Sequence, residues 1–542
     1  MQKTRLRVHS QLAAQLTIWV ILQIVANVIE LNKLYKPHKK PSTSFGFLPS
    51  ERNTLYYKLN NDVFFRDYGE VGYITSTGLF TDRTVDRSGA IFLGALTREP
   101  KGIETLSKEI ASHFTDINAA SIRQDTIDFF ESFVEDGFIV CGETPEKAVA
   151  NTTGFTYNVV EPQTMKRDFT PEKLRAEPST QDALDSFFLC NPKLTSFQIE
   201  LTSCCNERCV HCYIPHEFKD GIISDNLYYS VLDQLQDLGT WHITLSGGEP
   251  MMHPHFKEFL CTAKERDFYV TVLSNLTLLD DEAINIMAEG NKTSVQVSLY
   301  SMDPATHDQI TQLPGSFEKT LAAIEELIAH DIPVQISCPT MKANKNDFGD
   351  VLRWAHDHKI RAITDYSIMA EYNHDTSNLA HRLSPEECGE VIRDVIDWDV
   401  DYQDQILSPD FVIRANQYSN DLDATLCGVG ISSCCMVSNG NVYPCAGWQE
   451  YVCGNLNEQT LDYIWNDSPK MNELRSLRRR DMKTCIGCEN QAFCSPCMVR
   501  NANESPTGDP FEVSPYFCEV AKVNKDLVLA WREEHLKEQS TC

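Results

Sequence analysis

Six strand-like runs alternate with helical patterns between about residue 195 and residue 370. The runs are SFQIELTSC, HITLSGGEP, YVTVLSN, SVQVSLYS, VQISCPT and ITDYSIM. Between them, apolar residues recur at helical spacing, as in segments 255–266 and 317–328. This alternation predicts an α/β domain over residues 194–385 whose parallel sheet curves into a full or partial (β/α)6 barrel. Active-site residues are then expected at the C-terminal ends of the strands.

A second pattern precedes this domain. Residues 45–145 contain two short strands joined at YGE within Asp62–Phe80, two amphipathic helices, and a strand after Gly137. That order predicts an α+β, winged-helix-like domain. Residues 146–193 are polar and rich in Pro and Thr, which is typical of a linker. After the barrel we expect a connecting helix in 386–420, a cysteine-rich domain in 421–520 and a C-terminal helix in 521–542.

Charge and the N-terminus restrict the possible partners. The 542-residue chain has a net charge of −29, which disfavours nucleic-acid binding because phosphate contacts need a basic face. In segment 1–44, Lys3, Arg5 and Arg7 precede an apolar run from Leu12 to Ile29. Polar residues interrupt that run, and no clear cleavage site follows. A membrane-surface helix and a non-native extension from an upstream start codon both remain open for this segment.

The 20 cysteines of the chain are unevenly distributed. Cys205, Cys209 and Cys212 form a C-x3-C-x2-C group directly after the first predicted barrel strand. Bunched cysteines in an enzyme-sized chain favour metal binding over disulfides. A zinc site would need a fourth protein ligand nearby, whereas an iron–sulfur cube with three cysteines leaves one iron open to a small molecule.

Together with SGGEP after the second strand, this group resembles the radical S-adenosylmethionine (SAM) superfamily. The resemblance implies a partial (β/α)6 radical-SAM barrel, with a [4Fe–4S] cluster on Cys205, Cys209 and Cys212 that binds SAM. It further implies that the 5′-deoxyadenosyl radical formed from SAM abstracts hydrogen from a substrate. Tyr300 departs from the pattern, since many members have Asp there. The implied SAM-binding residues are Gly247, Gly248, Glu249, Ser274, Asn275, Ser298 and, near adenine, His211.

The later cysteines resemble the SPASM extension of the same superfamily, which binds two auxiliary [4Fe–4S] clusters. The resemblance assigns Cys485, Cys488, Cys494 and Cys518 to one cluster, and Cys427, Cys445 and Cys497 to the other. Cys497 stands one residue closer to Cys494 than the pattern has it. The fourth ligand of the second set stays open: Cys434, Cys435 or a substrate thiolate. A zinc ribbon on Cys485, Cys488, Cys494 and Cys497 is the alternative.

The N-terminal domain resembles the leader-peptide recognition domain of peptide maturases, which is related to the chaperone of pyrroloquinoline quinone biosynthesis. The resemblance implies that a leader peptide pairs with an exposed strand, for which we take Val71–Phe80 as the candidate edge.

The radical SAM resemblance also implies an electron donor such as flavodoxin or ferredoxin. Iron–sulfur clusters need a reducing compartment, so we expect a cytoplasmic enzyme.

We therefore expect an oxidoreductase that modifies a ribosomally made precursor peptide. A thioether between a Cys sulfur and a carbon is the first choice of bond, and a carbon–carbon cross-link is the second. Maturation of a sulfatase or dehydrogenase is third. A redox-sensing peptide-binding protein is the non-enzymatic alternative. The sequence does not identify a catalytic base.

Overall fold

The computed structural model describes residues 55–114, 119–159, 180–409, 411–412, 421–494 and 496–541. The segment 1–44 and much of the predicted linker lie outside these ranges. Across the described ranges, no helix combines the length and the apolar character that a bilayer crossing requires.

The N-terminal domain contains two small antiparallel sheets, ordered β5-β1-β6 and β2-β3-β4. Its core joins Tyr57 and Ile74 from the two sheets to Leu106 and Phe130 from the helices. The strands are β1 Tyr56–Leu59, β2 Val63–Asp67, β3 Val71–Ser76, β4 Thr81–Asp86, β5 Lys101–Gly102 and β6 Ile139–Gly142. The helices are α1 Arg87–Gly94, α2 Ile103–Ala111, α3 Ala119–Glu135 and α4 Pro145–Ala150.

The prediction that Val71–Phe80 supplies an exposed edge is wrong. The part of it that forms a strand, β3, is the central strand of its sheet and pairs with β2 on one side and β4 on the other. The error came from TDRTVD, which forms β4 although five of its six residues are polar and none of the six is fully buried. The edges of this sheet are therefore β2 and β4.

The domain from residue 194 onward has the predicted α/β fold. Six parallel strands follow one another in the order β12-β11-β10-β9-β8-β7. They are β7 Ser196–Thr202, β8 His242–Gly247, β9 Tyr269–Ser274, β10 Thr293–Ser298, β11 Val334–Pro339 and β12 Arg361–Asp365. The helices here are α5 Thr180–Cys190 before the first strand, then α6 Asp225–Asp237, α7 Phe256–Glu265, α8 Asp281–Ala288, α9 Pro304–Thr311, α10 Ser316–Ala329 and α11 Phe348–Asp357.

The two faces of this sheet differ in chemistry. On β7, the apolar residues Phe197, Ile199 and Leu201 are fully buried in the main hydrophobic core. The alternate residues face the concave side because successive side chains of a strand point to opposite faces. There, His242 lies between the hydroxyls of Ser196 and Thr271, at 3.0 and 2.9 Å. The concave face is therefore a polar surface that hydrogen bonds hold in place.

The barrel does not close, and the cysteine-rich region extends its sheet. Strand β13 Ser433–Met436 pairs in parallel with β7, and β14 Asn441–Tyr443 and β15 Gly454–Asn455 follow in antiparallel fashion. The remaining helices are α12 Pro385–Trp398, α13 Val400–Leu407, α14 Leu461–Asn466, α15 Pro469–Ser476, α16 Met498–Glu504 and α17 Pro515–Thr541. The C-terminal helix thus begins six residues before the predicted boundary at 521.

The N-terminal domain packs against the barrel at the amino ends of its strands. Phe64 contacts Trp241, with ring centroids 5.8 Å apart, and Arg98 Nε lies 2.6 Å from an Asp267 carboxylate oxygen. Phe188 of α5 fills the space between the two bodies. Since the predicted site lies at the carboxyl ends, this domain sits at the opposite end of the barrel.

Candidate functional site

The three-cysteine loop lies where the sequence predicts it, beyond the C-terminal end of β7. Each sulfur has a polar neighbour: Glu207 N donates to Cys205 Sγ at 3.4 Å, and Lys219 Nζ donates to Cys212 Sγ at 3.5 Å. Cys209 Sγ donates to Glu207 Oε2 at 3.2 Å. Burial raises the pKa of Cys205 to about 12 and that of Glu207 to about 7.

The two glycines of SGGEP are required by the three-cysteine loop itself. A Cβ at Gly247 would lie 2.0 Å from Thr202 O, and one at Gly248 would lie 2.3 Å from Cys204 O. The amide of Gly248 donates to Thr202 O, and that of Glu249 donates to Cys204 O, both at 2.8 Å. The sequence predicted that these glycines bring backbone close to a ligand. In the structure they bring it against the loop that carries the cysteines.

Glu249, Ser274 and Asn275 form one buried network between the ends of β8 and β9. Glu249 is fully buried and accepts from Met251 N, from Ser274 Oγ at 2.8 Å and from Asn275 N at 2.8 Å. Burial raises the pKa of its carboxyl to about 7. The network fixes these three predicted site residues relative to one another.

Asn206 is a member of this network that the sequence analysis missed. Its side-chain oxygen accepts from Asn275 Nδ2 at 3.0 Å, and its amide donates to Thr277 Oγ1 at 2.7 Å. Because Asn206 directly follows Cys205, it ties the three-cysteine loop to the end of β9. Only its position inside the C-x3-C spacing could have singled it out.

Tyr300 brings together residues that the sequence treated separately. Its hydroxyl lies 3.9 Å from Cys209 Sγ and 3.5 Å from His211 Nε2. The ring is 3 % exposed, and the Ser298 hydroxyl is among its polar neighbours. Burial lowers the pKa of His211 to about 4, so its imidazole is neutral at pH 7.

Two atoms in this loop suit a bound group. His211 Nδ1 and Glu207 Oε1 are both buried, and neither has a hydrogen-bond partner among the described residues. A buried polar atom without a partner is costly unless a ligand or water satisfies it. Three thiols beside such atoms fit an iron–sulfur cluster that itself binds a polar small molecule.

Cys427, Cys445 and Cys497 come together as the sequence predicts. Burial, with a contribution from the neighbouring Cys497 thiol, raises the pKa of Cys427 to about 11. Burial also raises the pKa of Cys445, and the Cys497 and Cys427 thiols add to that rise. The structure also separates the two cysteines that the sequence left open. Cys435 pairs with Gln198 on the concave face, and Cys445 is its strongest thiol neighbour. Cys434 instead packs in the core on the other face.

The second predicted set, Cys485, Cys488, Cys494 and Cys518, also lies together. Burial is the main reason that the pKa of Cys494 rises to about 12, and the three other thiols add to it. Arg500 lies between the two sets. Burial lowers its pKa, but Cys497, Asp365 and Cys494 outweigh that effect, so the guanidinium is a fixed cation there.

Among the described residues, no three His, Cys, Asp or Glu side chains converge closely enough to hold a single metal ion. Zinc needs its sulfur ligands at about 2.3 Å from one centre. An iron–sulfur cube binds each cysteine through a different iron, so it accepts a wider arrangement.

Glu200 is the second residue that the sequence analysis missed. It lies two residues before the C-terminal end of β7, is 5 % exposed, and belongs to the concave face with Gln198. Gln198 donates to Ser246 at 2.7 Å, whereas the structure gives the Glu200 carboxylate no side-chain hydrogen bond among the described residues. Burial raises its pKa to about 7. Nothing in a strand sequence distinguishes such a carboxylate from an ordinary one.

Three tyrosines surround Glu200. Tyr213, Tyr372 and Tyr443 all have their pKa raised by burial first and then, among other groups, by the Glu200 carboxylate. Cys212 of the three-cysteine loop and Cys445 of the Cys427 set also raise the pKa of Tyr213. We name Glu200 with these three tyrosines the Glu200 group. Through Tyr213 it is close to both the three-cysteine loop and the Cys427 set.

Comparison with known proteins identifies two domains. Residues 199–355 match the radical SAM superfamily, and residues 427–489 match the SPASM iron–sulfur cluster-binding domain. The AdoMet-dependent heme synthase of Methanosarcina barkeri is 26 % identical over 343 residues, which cover 60 % of this chain and 96 % of that protein. The antilisterial bacteriocin subtilosin biosynthesis protein AlbA of Bacillus subtilis is 26 % identical over 318 residues, 56 % of this chain and 67 % of that protein.

Among solved structures, Streptococcus suis SuiB bound to its precursor peptide SuiA has a similar fold. The TM-score is 0.54 at 15 % identity, over 85 % of this chain and 99 % of that chain. The predictions of an enzyme and of its cofactors are confirmed. The protein is an enzyme, and its cofactors are iron–sulfur clusters and SAM.

Proposed function

We propose that the protein is a radical SAM maturase that cross-links a ribosomally made precursor peptide, with a Cys sulfur-to-carbon thioether as the bond formed. One observation carries the proposal: Tyr213 of the Glu200 group neighbours Cys212 of the three-cysteine loop and Cys445 of the Cys427 set. A substrate that reaches the Glu200 group is then close to both predicted cluster sites. This arrangement suits an oxidation in which one site removes a hydrogen atom and the other accepts an electron.

Cys205, Cys209 and Cys212 hold the SAM-binding cluster in this proposal. When bound, the cluster and SAM supply a 5′-deoxyadenosyl radical that abstracts hydrogen from the substrate. Among the proposed SAM-binding residues, His211 contributes its unpartnered Nδ1 and Ser298 its partly exposed hydroxyl. Gly247 and Gly248 keep SGGEP against the loop, and Glu249, Ser274 and Asn275 act as one hydrogen-bonded unit.

The two auxiliary clusters are held by the sets that the SPASM resemblance assigns, which are Cys485, Cys488, Cys494 and Cys518 for one cluster and Cys427, Cys445 and Cys497 for the other. Cys445 is the member of the Cys427 set nearest the Glu200 group, and Cys435 is the better placed of the two cysteines left open. If Cys435 is not a ligand, a substrate thiolate has access to the same position. Arg500 stabilises negative charge at both sets because it lies between them.

Glu200 is the proton acceptor in this proposal. Forming a thioether from a C–H and an S–H removes one hydrogen atom, one proton and one electron. A bound SAM would supply the radical that takes the hydrogen atom, and an auxiliary iron–sulfur cluster held by the Cys427 set would supply the acceptor for the electron. The thiol proton goes to a Glu200 carboxylate oxygen, which accepts no side-chain hydrogen bond within the described part of the chain and whose carboxyl has a pKa raised to about 7.

The N-terminal domain binds the leader peptide. The fold shared with SuiB covers 85 % of this chain, more than residues 194–541 can provide, so it extends into this domain. Two similar proteins favour a peptide substrate, since SuiB was crystallised with a precursor peptide and AlbA acts in bacteriocin biosynthesis. With β3 paired on both sides, the leader-binding edge is one of the two edge strands, β2 or β4.

A carbon–carbon cross-link is the next candidate bond, and a folded sulfatase or dehydrogenase precursor is a further candidate substrate. The likeness to a heme synthase over 96 % of its length favours a second candidate function, modification of a porphyrin. We expect flavodoxin or ferredoxin as the electron donor and the cytoplasm as the compartment.

The test is anaerobic reconstitution with iron and sulfide, followed by SAM and reductant. We expect 5′-deoxyadenosine, and mass loss of two hydrogens in the peptide encoded by a neighbouring short reading frame. A C205A/C209A/C212A variant is the matched control and should form none. A chain that binds zinc in the loop, or forms no 5′-deoxyadenosine, refutes the proposal. Turnover of a porphyrin but of no peptide favours the second candidate.

A further inference from the structure

Two side chains outside the cysteine motif donate hydrogen bonds to its sulfurs. Lys219 Nζ lies 3.5 Å from Cys212 Sγ, and the Tyr300 hydroxyl lies 3.9 Å from Cys209 Sγ. Contacts to sulfur are longer than those to oxygen because the sulfur atom is larger. Neither residue belongs to the C-x3-C-x2-C pattern or to SGGEP.

The backbone fixes Lys219 at this position. Ser203 Oγ donates to Phe218 O at 2.9 Å, and Ser203 N donates to Gly221 O at 2.9 Å. Thr202 Oγ1 also donates to Gly221 O, at 2.7 Å. These bonds bind both sides of Lys219 to the end of β7, from which the three-cysteine loop starts. Lys219 therefore differs from a surface lysine whose position is unconstrained.

Tyr300 is held as firmly. Its carbonyl accepts from Asn344 Nδ2 at 2.7 Å, and its ring packs against Ile310, Met341 and Ile368. The sequence noted Tyr300 only as a departure from an expected Asp. The structure gives the substitution a consequence, since Asp would place a negative charge where Tyr places a neutral donor.

We propose that Lys219 and Tyr300 are positioning residues that raise the reduction potential of the cluster held by Cys205, Cys209 and Cys212. Taking up one electron from a flavodoxin- or ferredoxin-class donor makes the cluster more negative. A nearby ammonium group and a hydroxyl donor stabilise that added charge, and such outer contacts are known to tune metal centres. The inference rests on the proposed function for its ligand set.

Glu207 places an acidic side chain at the same sulfur. Its Oε2 lies 3.2 Å from Cys209 Sγ, the sulfur that the Tyr300 hydroxyl also approaches. The two donors therefore act in a loop that already carries a carboxyl group.

The experiment measures the potential of the SAM-binding cluster by anaerobic redox titration with electron paramagnetic resonance. The signal that changes on SAM addition identifies this cluster among the three. The variants are K219M, K219R and Y300F. The controls are K319M, at an exposed position on α10, and Y229F, whose hydroxyl contacts Glu258 on the surface. Iron and sulfide content is measured first for each protein.

At the wild-type midpoint potential, we expect K219M to lower the reduced-to-oxidised ratio about tenfold, as removing a unit charge at this distance implies. Tenfold corresponds to about 59 mV for one electron. Y300F should lower the ratio about threefold, since it removes one neutral hydrogen bond. K219R and both controls should stay within twofold of wild type.

Unchanged potentials in K219M and Y300F, with full iron content, overturn the inference, and so does a shift to higher potential. If K219M binds less iron than wild type, the inference is judged on Y300F, whose potential should fall, and on K219R, whose potential should stay near that of wild type. Failure of the proposed function is distinguishable, because a wild-type chain with zinc or no iron in the loop would show no such signal at all.

Discussion

Gly248→Ala tests whether the SGGEP segment and the three-cysteine loop are mutually supporting. Gly248 does not have a positive φ, so the effect of the substitution is steric. The new Cβ would lie 2.3 Å from Cys204 O and 2.4 Å from Ser203 O, both backbone atoms that cannot rotate away. Relief requires the two segments to separate by about 1 Å, since ordinary contacts begin near 3.4 Å.

Separation weakens two backbone hydrogen bonds, from Gly248 N to Thr202 O and from Glu249 N to Cys204 O. Overpacking costs about 1–3 kcal/mol and each hydrogen bond about 1 kcal/mol, so we expect a total loss of about 4 kcal/mol. Urea unfolding of the metal-free protein measures this loss. Iron content after reconstitution reports the displaced loop, and we expect fewer iron atoms per chain than in wild type.

Gly349→Ala is the matched control. Gly349 lies in helix α11, and its new Cβ would come no closer than 3.4 Å, to the end of the Arg353 side chain. Alanine in a helix is favoured over glycine by about 1 kcal/mol, so this variant should be neutral or slightly stabilised. The reasoning is refuted if G248A unfolds at the same urea concentration as G349A and binds the full complement of iron.

Three further predictions follow from the site and the sheet. E200Q should still form 5′-deoxyadenosine with a peptide that wild type cross-links, but it should form at least tenfold less cross-linked product, because the amide cannot accept the thiol proton. The surface variant E318Q is the control. An equal ratio of cross-linked peptide to 5′-deoxyadenosine in E200Q and E318Q would exclude Glu200 as the proton acceptor. C435A should lower auxiliary iron by more than C434A does, since only Cys435 faces Cys445; equal iron in the two variants would contradict this assignment. Burial lowers the pKa of His242 from 6.5 to about 3. Below pH 6.5 the unfolded chain therefore binds a proton at this imidazole that the folded protein does not, so the free energy of unfolding should fall as the pH drops from 7 to 5. In H242Q that dependence should be shallower, as urea midpoints at several pH values would reveal, and an unchanged slope would show that His242 does not contribute.

The barrel strands and helices were predictable because each has one apolar face that must be buried. The runs beginning at Ser196, His242 and Tyr269 all became strands that start at the predicted residue and end within three residues of the predicted end. Strand β4 was not predictable in this way. Its TDRTVD sequence has no apolar face, and it forms a strand because β3 offers an unpaired edge.

The cysteine sets came from the resemblance to the radical SAM and SPASM patterns, which the cysteine spacings of this chain carry. Spacing does not say, however, on which face of a sheet a cysteine side chain lies. The adjacent pair Cys434 and Cys435 became distinguishable only when the register with β7 placed them on opposite faces of the sheet. The same holds for Glu200 and Tyr300, whose roles depend on neighbours that are distant in sequence.

The pairing of β7 with β13 has a consequence for how the chain folds. Ser196 pairs with Ser433, so more than two hundred residues must be synthesised before β7 gains its second neighbour. Until then its outer edge offers free backbone groups to any other unfolded chain, which invites aggregation. A fragment that stops before residue 433 would keep that edge open permanently, and it should precipitate in cases where the whole chain stays in solution.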